Sequence, residues 1–156
     1  MSTIEDYEGR TIDVLAFSGV KEVGDQKLVP VLFSEDSSGL VCTGIQKLAQ
    51  RFLLELLTAK GSMKGLEDRG CNLVIDMHTG RITSDVHATS AFEFAASTVV
   101  TNLQREASAD DPADERISEV NLLSVAFLPG YVSYRVKVVS EAGTEREVVL
   151  PISMVP

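Results

Sequence analysis

The stretch YVSYRVKVVS (Tyr131–Ser140) alternates without a break. Val132, Tyr134, Val136 and Val138 fall on one side, and Ser133, Arg135 and Lys137 on the other. A side-chain period of two marks a strand with one face buried and one face wet. Pro129-Gly130, just before it, is a strong turn signal. Ahead of that turn, Ile117–Phe127 is a second strand pattern. Behind the alternating run, EAGT (Glu141–Thr144) is another turn and EREVVLPI (Glu145–Ile152) a third strand. Turns this short join antiparallel neighbours. The last third of the chain therefore predicts a three-stranded antiparallel meander.

A sheet with one apolar face needs cover, and helical patterns supply it upstream. Thr43-x-x-Gln46 has the form of a capping box. Behind it Ile45, Leu48, Ala49, Phe52, Leu53, Leu56 and Leu57 recur at three- and four-residue steps, placing them on one helix face. Gln46, Lys47, Gln50, Arg51 and Glu55 fill the other face, and Gly61 is the expected stop. Residues 61–80 read as loop, with NLVID (Asn72–Asp76) as a short strand. A second helix is expected to start near Ser84 or Ser90, the latter opening another capping box with Glu93. Phe92, Ala95, Ala96, Val99 and Leu103 form its stripe, and Asp110-Asp111-Pro112 ends it. The expected fold is α+β: an antiparallel β-meander covered by two helices. Residues 1–40 read as an extended arm or flanking strands, from TIDVLAFSG (Thr11–Gly19) and KLVPVLFS (Lys27–Ser34), and residues 41–156 as the α+β domain. Pro30 cannot donate to a ladder, so its run belongs at an edge or in loose pairing.

Composition narrows the function classes. The 156 residues suit one domain. With 14 basic against 23 acidic side chains the net charge is −9, which argues against a nucleic-acid surface and favours partners with basic patches. No run of apolar residues approaches membrane length. The start, MSTIEDYEGR, has acids where a signal peptide would be basic and then apolar. Cys42 and Cys71 are too few and too separated for a disulfide framework, and read as reduced, buried thiols. Asp76, His78 and His87 lack the paired spacing and fourth ligand of a zinc site, so no metal is expected. No nucleophile elbow, phosphate loop or HExxH is present. Aromatic residues that line sugar sites are scarce, with no tryptophan. The expectation is a protein without enzymatic activity or cofactor.

One segment carries unusual charge. DDPADERISEV (Asp110–Val120) crowds five acids and one arginine between the end of a helix and the start of a strand. An arginine fork can grip a carboxylate or main-chain carbonyls at two points. Arg116 either pins its own loop or presents a hook to a partner, and its residue type leaves both open.

The order of these blocks resembles the baseplate wedge family of contractile phage tails, whose relatives occur in type VI secretion and other contractile injection systems. That family typically shows LLTPKGER…RPEFGCGL after its first helix and EPRI before its strands. Here Leu56-Leu57-Thr58-Ala59-Lys60-Gly61 matches the first block except at Ala59, and Gly70-Cys71 and Leu73 match the end of the second. Arg116-Ile117 matches the later motif, with Asp114 in place of glutamate and Glu115 in place of proline. Losing the proline frees φ and restores an N–H. The resemblance covers about residues 41–152 and not the first 40. It implies assembly. The partner-binding residues would be Asp114, Glu115, Arg116 and Ile117, docking on the helical core bundle of neighbouring wedge subunits. A sheet edge would template the tail sheath protein by strand addition. The N-terminal arm and EREVVLPI are the expected edges. The location implied is the virion tail baseplate, after folding and assembly in the host cytoplasm, with neither nucleic acid nor membrane as partner. A different class of reading is an adaptor or chaperone-like binding module, and a third a hydrolase acting on peptidoglycan.

Overall fold

The structure is a computed structural model and describes residues 10, 13–14, 17–19, 28–30 and 41–154. Within the arm, β1 (Asp13–Val14), β2 (Phe17–Gly19) and β3 (Leu28–Pro30) are short strands. β2 pairs antiparallel with β3, with Phe17 opposite Pro30 at one end of the ladder. β1 pairs with β4 (Val41–Cys42), so the arm is tied to the start of the main domain. The other residues of the expected arm lie outside the described ones.

Helix α1 (Gly44–Leu57) buries Leu48, Ala49, Phe52, Leu53 and Leu56, the stripe its periodicity predicts. It differs from expectation at both ends. Thr43 is the N-cap residue, but its side chain makes no capping bond. At the other end the helix stops at Leu57, short of Gly61. Thr58 turns extended because its carbonyl accepts from Cys71 N at 2.9 Å, and Lys60 N donates to Cys71 O at 3.0 Å. That parallel bridge between Ala59 and Cys71 pulls the chain out of the helix. The polar face of α1 is also covered: Lys47, Gln50 and Glu55 are buried.

NLVID is not a strand. Leu73–His78 forms a short helix, α2, in which Asp76 N donates to Asn72 O at 2.8 Å. A strand would send Leu73 and Ile75 to one face. The helix instead buries Leu73 and Met77, one turn apart, and leaves Ile75 at the surface. Helix α3 (Asp85–Glu106) starts at Ser84, whose hydroxyl accepts from His87 N at 3.3 Å. Ser90 therefore lies inside the helix and opens nothing.

After a single 3₁₀ turn (Ala113–Glu115) come β5 (Ile117–Leu128), β6 (Tyr131–Ser140) and β7 (Glu145–Ser153), an antiparallel sheet in the order β5-β6-β7. The fold is α+β, with the third, short helix added to the expected pair. Val132, Tyr134, Val136 and Val138 are fully buried against the helices, as the alternation requires. Each such side chain contributes about 1.5–3 kcal/mol through removal from water. Tyr134 stacks on Phe92 of α3 with centroids 5.0 Å apart, and its hydroxyl donates to Ala88 O at 3.3 Å. The buried phenol thus keeps a partner. On the wet face Arg135 pairs with Glu147 at 2.7 Å and Lys137 with Glu145 at 3.2 Å.

Candidate functional site: the Asp114–Ile117 junction and the sheet edges

The four expected docking residues do not share one face. Glu115 is 4% exposed and turned inward. Its Oε2 lies 2.7 Å from Lys47 Nζ, and its Oε1 accepts from Gly44 N at 3.1 Å. Gly44 sits at φ 60°, so the main chain enters α1 through the left-handed region and aims its N–H at that carboxylate. A buried carboxylate needs such partners, because desolvating it alone is costly. Ile117 is also buried, in the core under β5. Asp114 is partly exposed, with Oδ2 2.7 Å from Arg10 Nη1. Arg10 joins the arm to the junction, and Gln50 Nε2 joins the arm to α1 by donating to Asp13 Oδ2 at 3.1 Å.

Arg116 points the other way. Its Nε lies 2.6 Å from Glu141 Oε2 in the β6–β7 turn, and its Nη1 donates weakly to Ala109 O at 3.4 Å. The Nε–H has no aligned acceptor, so the Glu141 contact is an ion pair and not a directed hydrogen bond. The main chain fastens the same two segments: Glu141 N donates to Arg116 O at 2.9 Å and Ala142 N to Ala113 O at 3.2 Å. Arg116 is thus held at the turn of the β6–β7 hairpin, with its side chain partly exposed.

Sequence reasoning missed Arg10, Gly44, Lys47 and Glu141 as partners of this junction. The one local signal was Gly44 directly after an N-cap threonine, where glycine has no helical reason to stand. The others arrive from far along the chain.

The two halves of the motif that carries the wedge resemblance meet in space. The Ala59–Cys71 bridge closes the loop between them. Glu55 then locks it: Oε2 accepts from Arg69 Nη1 at 2.8 Å, and Oε1 from Gly70 N at 3.1 Å and Asn102 Nδ2 at 3.2 Å. Cys71 donates to Leu56 O at 3.1 Å. Burial pushes the thiols of Cys71 and Cys42 above their ordinary 9.0, with Asp13 adding to the effect at Cys42. They are neutral and poor nucleophiles.

The sheet has two edges, β5 and β7. In an antiparallel ladder, residues alternately turn their main-chain groups toward and away from a neighbour. The tight turn makes Leu128 and Tyr131 a bonded pair. Val132, Tyr134, Val136 and Val138 then bond to β7, opposite Ile152, Leu150, Val148 and Arg146. Glu147, Val149 and Pro151 therefore turn their main chain outward. Pro151 has no N–H to lose there, which is why a proline is tolerated in the strand. Among the described residues no strand pairs with the outer side of β7, although β3 comes close to it.

Among the described residues no group of three or more His, Cys, Asp or Glu is placed to hold a metal ion, and no helix is long and apolar enough to cross a membrane. No family model, no curated protein and no solved structure matches the chain. The wedge-family resemblance therefore stands on the motif residues themselves.

Proposed function

We propose that this chain is a structural wedge component of a contractile tail baseplate, acting by docking and strand addition and not by catalysis. The observation that supports this best is the joint between Arg116 and the β6–β7 turn, because it fixes the arginine at the end of the sheet where β5 begins and β6 turns into β7. A partner gripping Arg116 is then at the turn from which β7 starts. Wedge subunits would hold the arginine, and an extended sheath segment would pair with the edge. Glu115 and Ile117 face inward. The docking surface narrows to Arg116, since Asp114 is turned to Arg10.

The test is Arg116→Ala in particles assembled with the tail's own wedge and sheath proteins. The variant is expected to keep its circular dichroism spectrum and its Tm within a few degrees, and to be missing from baseplates imaged by cryo-electron microscopy. Normal incorporation would refute docking through Arg116. Unfolding would instead show that the arginine only pins its own loop. Wild-type subunits found away from the tail hub, with both sheet edges bare, would favour the adaptor reading.

A further inference from the structure

We propose that the β5 edge is a second strand-docking site, and that its occupant is an extended segment carrying basic residues. This goes beyond the baseplate reading and does not rest on it.

Helix α3 packs alongside β5 and hydrogen-bonds to it at the two ends. Asp85 Oδ1 accepts from Phe127 N at 3.0 Å, and Gln104 Nε2 donates to Ser118 O at 3.2 Å. Between these contacts the helix and the edge part around a hollow of about 500 Å³. Ser118–Leu122 form one wall, and Phe92, Ala96, Ser97 and Val100 line the other. The β5–β6 register turns the main chain of Val120 and Leu122 into this hollow, since they stand opposite Val138 and Val136, which bond to β7. Beyond the β-bulge between Leu122 and Ser124, Phe127 N also turns outward, to Asp85, where Phe127 opposes Val132. Among the described residues, nothing outside the sheet bonds to the main chain of residues 119–126.

The chemistry selects the occupant. Two outward N–H and C=O sets about 7 Å apart match the repeat of an extended chain. A helix bonds its own main chain and cannot satisfy them. A slot between an edge strand and a helix takes an added strand, which sends alternate side chains into the groove. Ala96 and Val100 leave room there for β-branched residues. The charged side chains of the lining are Glu93 and Glu119, with no basic one, in a chain of net charge −9. That field favours lysine or arginine on the incoming strand and rejects acids.

The probe is a fluorescein-labelled octapeptide that alternates valine with lysine and threonine. It is compared with a glutamate-for-lysine version and one N-methylated at alternate amides. Binding is read by fluorescence anisotropy, and the site by amide hydrogen exchange on the intact chain. The lysine peptide is expected to bind, the glutamate peptide at least about tenfold more weakly, and the N-methylated peptide not at all. Exchange at Val120 and Leu122 should slow while Glu147 and Val149 keep their rates. Ser97→Trp, at an exposed position of α3, should fill the slot and abolish binding without loss of helix signal. Failure of the lysine peptide to bind, equal binding of the acidic one, or protection on β7 instead would each overturn the proposal. Protection of Val120 and Leu122 that rises with protein concentration alone would overturn it too, by naming a second copy as the occupant.

Discussion

At Gly70 the backbone takes φ 80°, and a Cβ built there would collide with the carbonyl oxygen of Thr58. Gly44 is also left-handed, but its added Cβ would meet the carboxylate end of Asp114, 2.7 Å away. A main-chain oxygen held in a bridge cannot yield, whereas a side-chain tip can swing aside. Left-handed φ alone costs roughly 1–2 kcal/mol for an L-residue. Gly44→Ala is therefore expected to lose about that much, and Gly70→Ala more, about 2–4 kcal/mol. Urea titration of the two variants checks the order, and a larger loss at Gly44 would contradict it. The two helix caps make a second pair. Ser84 accepts a bond from His87 N, while Thr43 caps with its main chain only. Ser84→Ala should cost about 1 kcal/mol and Thr43→Ala under about 0.5 kcal/mol, by the same titration. Equal losses would mean that Thr43 caps in solution. In the sequence Thr43 looks the better cap, because it opens a capping box with Gln46 and Ser84 does not, but a capping box is a pattern of residue types. Which hydroxyl bonds depends on what competes for the helix end, and at α1 Glu115 takes the N–H of Gly44 from 71 positions away.

The elements were legible where one physical period dominated. The alternation of β6 and the three-four spacing of α1 and α3 each admit one structure, and both packed as read. Asn72–Asp76 was not legible, because a run of three apolar residues, two of them β-branched, suits a strand as well as one helical turn. The choice fell to burial of Leu73 and Met77. The inward turn of Glu115 was hidden for a similar reason, since an acid in an acidic loop looks solvated until Lys47 is placed beside it. The edge strand β7 yields its own prediction. Pro151 faces its main chain outward and denies a neighbouring strand one donor. Pro151→Thr restores that N–H without touching the β6 ladder. The monomer should unfold within about 0.5 kcal/mol of wild type, in the range of surface substitutions. Its light-scattering mass should nonetheless rise with concentration as free edges pair. A strictly monomeric variant would show that the edge is guarded by something other than the proline.

Across the whole molecule, the helix layer and the sheet bury groups whose protonation then reports on the integrity of the fold. Cys42 and Cys71 have their pKa raised above 9.0, chiefly by burial, and burial likewise lifts the phenol of Tyr134 far above 10.0. All three are neutral in the folded chain at pH 9, while the unfolded chain begins to ionise its thiols there. Stability changes with pH in proportion to protons bound by the unfolded state minus those bound by the folded state. For raised groups that difference is zero below the unfolded pKa and negative above it. The contribution is therefore fully present below pH 9 and declines as pH rises toward the folded values. Each group adds up to about 1.4 kcal/mol per pH unit within its window, the thiols from about pH 9 and the tyrosine from about pH 10. Urea midpoints measured from pH 8 to 11 should be level at first and then fall, more steeply past pH 10. Tyr134→Phe removes the steeper limb and leaves the thiol limb in place, at the cost of the hydrogen bond to Ala88. A wild-type midpoint that stayed level to pH 11 would mean that water reaches these side chains in the folded state, and that the two layers do not close over Phe92 and Tyr134.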